Sequence, residues 1–152
     1  MEKLQLFFSN TRSLASYCVR FATWGEYGHV GLYRDDTIIE ANSTLNKVVC
    51  RSFEPSEYSQ FVIKEYDIPA KPVWDIISSQ IDKPYDWSAI YGFLFRQDWQ
   101  SPDKWFCSEL VEWGCNSIGY SMINKKSWRV SPQDLNEVKS INILRTYWNY
   151  HF

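Results

Sequence analysis

GHVGLYRDDTIIEA, residues 28 to 41, reads as a β-hairpin and makes the first half of the chain an antiparallel sheet. HVGLY (29–33) and TIIEA (37–41) are rich in β-branched and aromatic residues and meet at a polar turn, Arg34-Asp35-Asp36. Val30, Leu32, Ile39 and Ala41 supply a core-facing side. His29 and Glu40 share the opposite side whenever the loop has an even length. With Arg34-Asp35 as the turn, His29 faces Glu40 directly, their Cβ atoms ~4.5–5.5 Å apart. With Asp35-Asp36, His29 faces Asn42 and Glu40 becomes its diagonal neighbour. An odd-length loop separates the two.

Outward from the hairpin, KLQLFF (3–8) reads as a strand, and KVVCRSF (47–53) and QFVIKEY (60–66) extend the β run. Pro69 and Pro72 interrupt it. Between the first strand and the hairpin, residues 11–23 form a helix by spacing. Leu14, Cys18 and Phe21 or Ala22 make its apolar side, and Thr11 or Ser13 its N-cap. From Val73 the pattern turns helical: VWDIISSQI (73–81), DWSAIYGFLF (86–95) capped by Asp86, and FCSELVEWGCNSIG (106–119) closed by Gly119. SPQDLNEV (131–138) is a short helical turn and SINILRTYW (140–148) a last strand. There are no repeats, low-complexity tracts or long linkers, so residues 1–152 read as one α+β domain.

A net charge of −2, mixed along the chain, argues against a general nucleic-acid or anionic-membrane binder. No stretch approaches the ~18 apolar residues of a membrane span. The N-terminus lacks the basic start and apolar run of a secretory signal. Four cysteines without the density of a secreted scaffold fit a reduced, cytoplasmic protein. No Cys-x-x-Cys pair occurs and histidines are too few for a zinc set, so neither a metal nor a cofactor is expected.

Chemistry centres on Cys107. In the helix it opens, Cys107, Leu110, Val111, Gly114, Cys115 and Ile118 share one side, with Ser108, Glu109, Glu112 and Asn116 on the other. That stripe alone favours a buried structural thiol, since free cysteine is among the most buried residue types. Position argues the other way. The first helical turn offers unpaired N–H groups and the positive end of the macrodipole, which favour a thiolate and could bind an oxyanion. Cys115, two turns on, has no such help and reads as core.

A nucleophilic cysteine needs a base, and the chain has two histidines. His151 is penultimate, in a position that commonly frays. His29 remains, with Glu40 on its face to fix the tautomer and stabilise an imidazolium.

Taken together, GHVGLYRDDTIIEA, DKPYDWSAIYG (82–92), WFCSELVEWGCNSIG (105–119) and VSPQDL (130–135) resemble the circularly permuted papain-like hydrolases of the YiiX-like group, relatives of the NlpC-type cell-wall hydrolases. In the unpermuted relatives a Pro-Tyr element precedes an Asp-Cys-Ser-Gly-Leu-Val motif, and the histidine strand follows. Here KPY (83–85) precedes FCSELV (106–111) in the same manner, but the histidine strand comes first. Lecithin:retinol acyltransferase and its kin share that permuted order, with a second histidine where Glu40 stands. The resemblance implies a permuted papain-like fold, with an antiparallel sheet packed on helices and the nucleophile at a helix N-terminus. It implies Cys107 as nucleophile, His29 as base, Glu40 as the residue orienting His29, and Tyr85 as an aromatic bordering the substrate cleft. Phe106 and Glu109 depart from the family's Asp and Gly, and Asp36 stands where relatives often place a turn glycine.

The expected activity is cysteine-dependent cleavage of an amide: a peptide, an isopeptide or a peptidoglycan stem peptide. Hydrolysis or transfer of a lipid acyl group on the same three residues is the alternative. The absence of a leader weakens a wall target unless another route, such as phage lysis or delivery, exports the protein. A binding module that kept the fold without turnover is the rival from another class.

Overall fold

The computed structural model describes residues 1–95, 103–123 and 130–148; His151 lies outside them. Six strands form one antiparallel sheet: β1 (Lys3–Asn10), β2 (His29–Arg34), β3 (Thr37–Asn42), β4 (Lys47–Ser52), β5 (Gln60–Pro69) and β6 (Asn142–Trp148). Their spatial order is β4-β3-β2-β1-β5-β6. The helices are α1 (Leu14–Thr23), α2 (Ala70–Ser78), α3 (Trp87–Phe95), α4 (Cys107–Ser117) and α5 (Pro132–Glu137). β-rich and α-rich halves follow one another as the sequence pattern implies. Two boundaries move: β5 continues through Pro69, and Pro72 sits in the first turn of α2, where a missing N–H costs nothing.

Alternation divides the sheet into two faces. Leu4, Leu6 and Phe8 of β1, Val30 and Leu32 of β2, and Ile39 and Ala41 of β3 join Val73 and Ile77 of α2 and Leu110, Val111 and Cys115 of α4 in the main core. Phe7, Ile38, Phe61 and Ile63 point the other way and are covered by Phe53 and Tyr58, which flank a 3-10 turn at Pro55–Glu57. Gly31 is needed on this second face. A Cβ there would lie 2.4 Å from the Phe7 ring, which fills the space.

The hairpin takes the Asp35-Asp36 turn. Arg34 pairs with Thr37 and Leu32 with Ile39. Both turn residues have positive φ, 48° and 57°, as a two-residue hairpin turn of the favoured twist requires. Aspartate tolerates that region, and Tyr33 Oη donates to Asp36 Oδ1 at 2.7 Å, holding the turn without glycine.

Two faces differ from the sequence pattern. Leu14 and Phe21 of α1 do not face the core; the helix packs through Ala15, Ser16 and Val19. The cause is proximity. A Cβ on Gly28 would stand 2.6 Å from Ser16 O, so α1 lies against the start of β2 and only small side chains fit between them. In α4 the polar side is not a solvent face, because Ser108, Glu109 and Glu112 are all buried. Ser108 Oγ donates to Val130 O, and Glu112 accepts from Asn116, Ser121 and the Met122 N–H.

Candidate active site

β2 and β3 pair only from the turn to the Leu32–Ile39 rung. His29 and Glu40 stand beyond it. In a fully zipped sheet a helix-side cysteine and a glutamate of the opposite face could not both reach one histidine. Where the ladder stops, they do. His29 Nε2 lies 2.5 Å from Glu40 Oε2, and its ring also hydrogen-bonds the Cys107 side chain. With Nε2 engaged by Glu40, Nδ1 is the nitrogen left for the thiol. The structure therefore brings Cys107, His29 and Glu40 together in that linear order.

Glu40 is 2% exposed and its second oxygen is also held. Asn42 Nδ2 donates to Oε1 at 2.8 Å and Arg51 Nε at 2.9 Å. Arg51 is in turn fixed by Glu57, at 2.9 Å from Nη1, and by Tyr58 Oη at 3.3 Å. Burial alone would raise the Glu40 pKa, but the charge and hydrogen bond of His29, with Arg51 and Asn42, bring it down to about 2. For His29, burial disfavours the cation. Glu40 and Cys107 outweigh it and raise the pKa to about 10. The imidazolium is therefore the form this site holds at neutral pH. The Phe7 ring, 5.6 Å from the imidazole centroid, packs against it and limits its rotation.

Cys107 is the first residue of α4 and 1% exposed. Phe106 precedes it as N-cap and offers no side-chain acceptor, so the first-turn amides receive no cap from it. Glu109, in the same turn, would compete for those amides if ionised. Burial, reinforced by the charge of Asp86, pushes its pKa up to about 8, and one carboxyl oxygen has no hydrogen-bond partner. At neutral pH Glu109 is thus uncharged and leaves the positive end of α4 to Cys107. Cys115 is fully buried, and burial with the nearby Glu112 charge pushes its thiol up to about 12. It is core.

Tyr85 is held by its backbone N–H on Asn46 O and by ring contacts with Trp87 and Phe106, at 5.2 and 6.2 Å. Burial first, then the Cys107 and Asp86 charges, keeps its hydroxyl protonated. A cavity of about 440 Å³ opens at this end of the sheet. Its walls include His29, Glu40, Asn42 and Tyr85, with Thr11, Ser13, Ser16, Ser43 and Thr44 adding hydroxyls. Cys107, buried at 1% exposure, does not line it.

The residues gripping Glu40 were not singled out from the sequence. Arg51 carried a signal: Glu40 pairs with Val49 on β4, so Arg51, two residues on, shares its face. Glu109 and Asp86 are brought together only by the tertiary fold.

This is an α+β fold whose six-stranded antiparallel sheet carries helices, with a cysteine, a histidine and a carboxylate in series. The same fold occurs in the crystal structure of the metalloprotein yiiX from Escherichia coli O157:H7, a DUF1105 protein. The likeness covers 97% of this chain and 98% of that one, with a TM-score of 0.69 and 17% identity, and shows the fold alone. A YiiX-like fold is what the motif order implied. No family model matches the chain, and no curated protein does. Among the described residues no group of three or more His, Cys, Asp and Glu side chains is placed to hold a metal ion. His29 Nε2 is taken up by Glu40 Oε2, and Arg51 and Asn42 occupy Glu40 Oε1. That donor set does not fit a metal centre.

Proposed function

We propose that the protein is a cysteine hydrolase of the circularly permuted papain-like type, acting on an amide. The observation that carries this is the His29 ring shared between Cys107 and a buried, fully hydrogen-bonded Glu40. In this reading Cys107 and His29 form a thiolate–imidazolium pair. Thiolate sulfur attacks the carbonyl carbon, and the carbonyl oxygen takes up negative charge facing the first-turn amides of α4. His29 gives its proton to the departing amine as the C–N bond breaks, leaving a thioester. His29 then takes a proton from water, whose hydroxide releases the acid and restores the thiol pair. Glu40 orients the imidazole and offsets its charge, while Arg51 and Asn42 hold Glu40. Tyr85 borders the substrate and offers a protonated hydroxyl.

The cavity favours a peptide over a lipid acyl chain. Its hydroxyl and amide walls suit a polar, hydrogen-bonding substrate, whereas an acyl groove is lined by apolar side chains. Because Cys107 is buried and does not line the cavity, productive binding requires a local opening that exposes the thiol.

Activity-based profiling with peptide and acyl electrophiles, followed by turnover assays, tests the reading. Cys107→Ser and His29→Ala are each expected to lower turnover at least about a thousandfold while the fold is retained. Normal turnover in Cys107→Ser would end the proposal, and a Cys107 that no electrophile labels would favour the binding module. Activity is expected to persist well above neutrality and to fail as pH rises through about 10, where His29 loses its proton. Glu40→Gln removes the main support of that proton, so it should reduce the rate less severely and move the alkaline limb to lower pH.

A further inference from the structure

His29 and Tyr85 link the cavity to the buried thiol. Both wall the cavity; His29 hydrogen-bonds Cys107, and Tyr85 lies within range of its charge. His29 is fixed by the buried Glu40, so moving it aside breaks that pair. Tyr85 is the one whose fastenings reach the surface. Its backbone runs beside Trp105, two residues ahead of Cys107, and its ring packs on Phe106.

The fastening comes from the β3–β4 turn, residues 43–46, of which Ser43, Thr44 and Leu45 also wall the cavity. Asn42 Oδ1 accepts the Leu45 N–H at 2.8 Å, so the turn is tied to the same side chain that grips Glu40. Asn46 ends the turn in the left-handed region, with φ 59°, which asparagine tolerates. From there its carbonyl accepts the Tyr85 N–H at 3.1 Å, and its Oδ1 accepts the Trp87 indole N–H at 2.8 Å. Beyond it, Val48 makes backbone hydrogen bonds to Asp82 and Lys83, both 2.9 Å, and Lys47 pairs with Asp82. The Val48 end is buried, whereas Leu45 is 52% exposed and Trp87 41%. Hydrogen bonds at the solvent edge open with the least free energy, so the Asn46 end yields first and the Val48 end acts as the hinge.

We propose that Asn46 is a positioning residue that latches the segment carrying Tyr85 and Trp87, and that release of this latch is the local opening through which Cys107 is reached. Given Cys107 as the nucleophile, on which this role rests, a substrate filling the cavity touches the turn and Tyr85 together. Binding then acts on the bonds that close the site.

Alkylation of the full chain by iodoacetamide, resolved by peptide mass spectrometry, tests this. The thiolate of Cys107 displaces iodide only when the site is open, and the exposed Cys50 serves as an internal reference. Trp87→Phe keeps a ring beside Tyr85 but removes the indole N–H; Asn46→Gly keeps the left-handed turn but removes Oδ1. Each should speed labelling of Cys107 about fivefold, the worth of one net hydrogen bond, and leave that of Cys50 unchanged. Because both remove the same bond, the double variant should label no faster than either single. Asn46→Asp, which keeps an acceptor, should label like the parent. The readout is alkylation and not turnover, so the latch holds or fails whatever Cys107 cleaves. A Cys107 rate that either single variant leaves unmoved would overturn the proposal. So would effects that multiply in the double variant, or a rate that climbs in dilute urea as steeply as global unfolding, since unfolding alone would then expose the thiol.

Discussion

α1 and α4 are of similar length and both lie near His29, yet they are buried in opposite ways. α4 is sunk so deeply that eight of its eleven residues are buried, Glu109 and Glu112 among them. α1 buries only Ala15, Ser16 and Val19 and leaves Leu14, Tyr17 and Phe21 outside. The difference is not in apolar content but in the space each helix is given. α4 packs against α2, β2 and β3 at once, so polar side chains on its far side find carbonyls, amides and loop residues. α1 meets the start of β2 at the distance set by Gly28, where a large residue has no room. Helical periodicity reports that a helix has two unlike sides. Which side turns inward is settled by the neighbour's shape.

The contrast breaks most visibly at paired leucines. Leu110 of α4 is 1% exposed and sits in the core with Val73 and Ile77. Leu110→Ala should cost about 2–5 kcal/mol, measured by urea unfolding. A loss below about 1 kcal/mol would mean that α4 is not sunk as described.

A smaller, pH-dependent effect is expected at Glu109. Its pKa stands near 8 in the folded chain against an ordinary 4.5. The folded state thus holds this proton more tightly than the unfolded one. Its stabilising contribution is complete below the unfolded value and is lost as pH rises through about 8. Glu109→Gln keeps the shape of the protonated acid without titrating. It should match the parent in acid and exceed it above that window by up to a few kcal/mol. A stability difference that stays constant with pH would show that Glu109 does not carry the proton.

Much of this was legible in the sequence because local chemistry decided it. The six strands and five helices follow from alternation, helical spacing and turn residues, down to Asp86 ahead of α3; of the two N-cap candidates for α1, Thr11 and Ser13, the structure uses Ser13. Cys107 at a helix start and His29 with Glu40 on one side of a hairpin were legible for the same reason. The register was not, since Arg34-Asp35 and Asp35-Asp36 are both acceptable two-residue turns; Tyr33 and the paired left-handed aspartates select the second. Nor was the grip of Arg51 on Glu40, which needs the β3–β4 register, or the approach of Asp86 to Glu109, which needs the Asp86 N–H donated to Trp105 O just ahead of α4. The inward side of α1 was illegible because the residue that sets it, Gly28, lies outside the helix.

The smallest effect is the counterpart of the first. Leu14→Ala, at a side chain 76% exposed, removes as many atoms as Leu110→Ala but almost no buried contact. Stability should change by no more than about 0.5 kcal/mol in the same urea titration. Alanine's better helix propensity offsets part of even that. If Leu14→Ala instead costs as much as Leu110→Ala, the Leu14 side is core and α1 is rotated toward the sheet, as periodicity alone suggests. A near-zero cost would leave α1 as described, its small side against β2 and its N-terminal turn in the wall of the cavity.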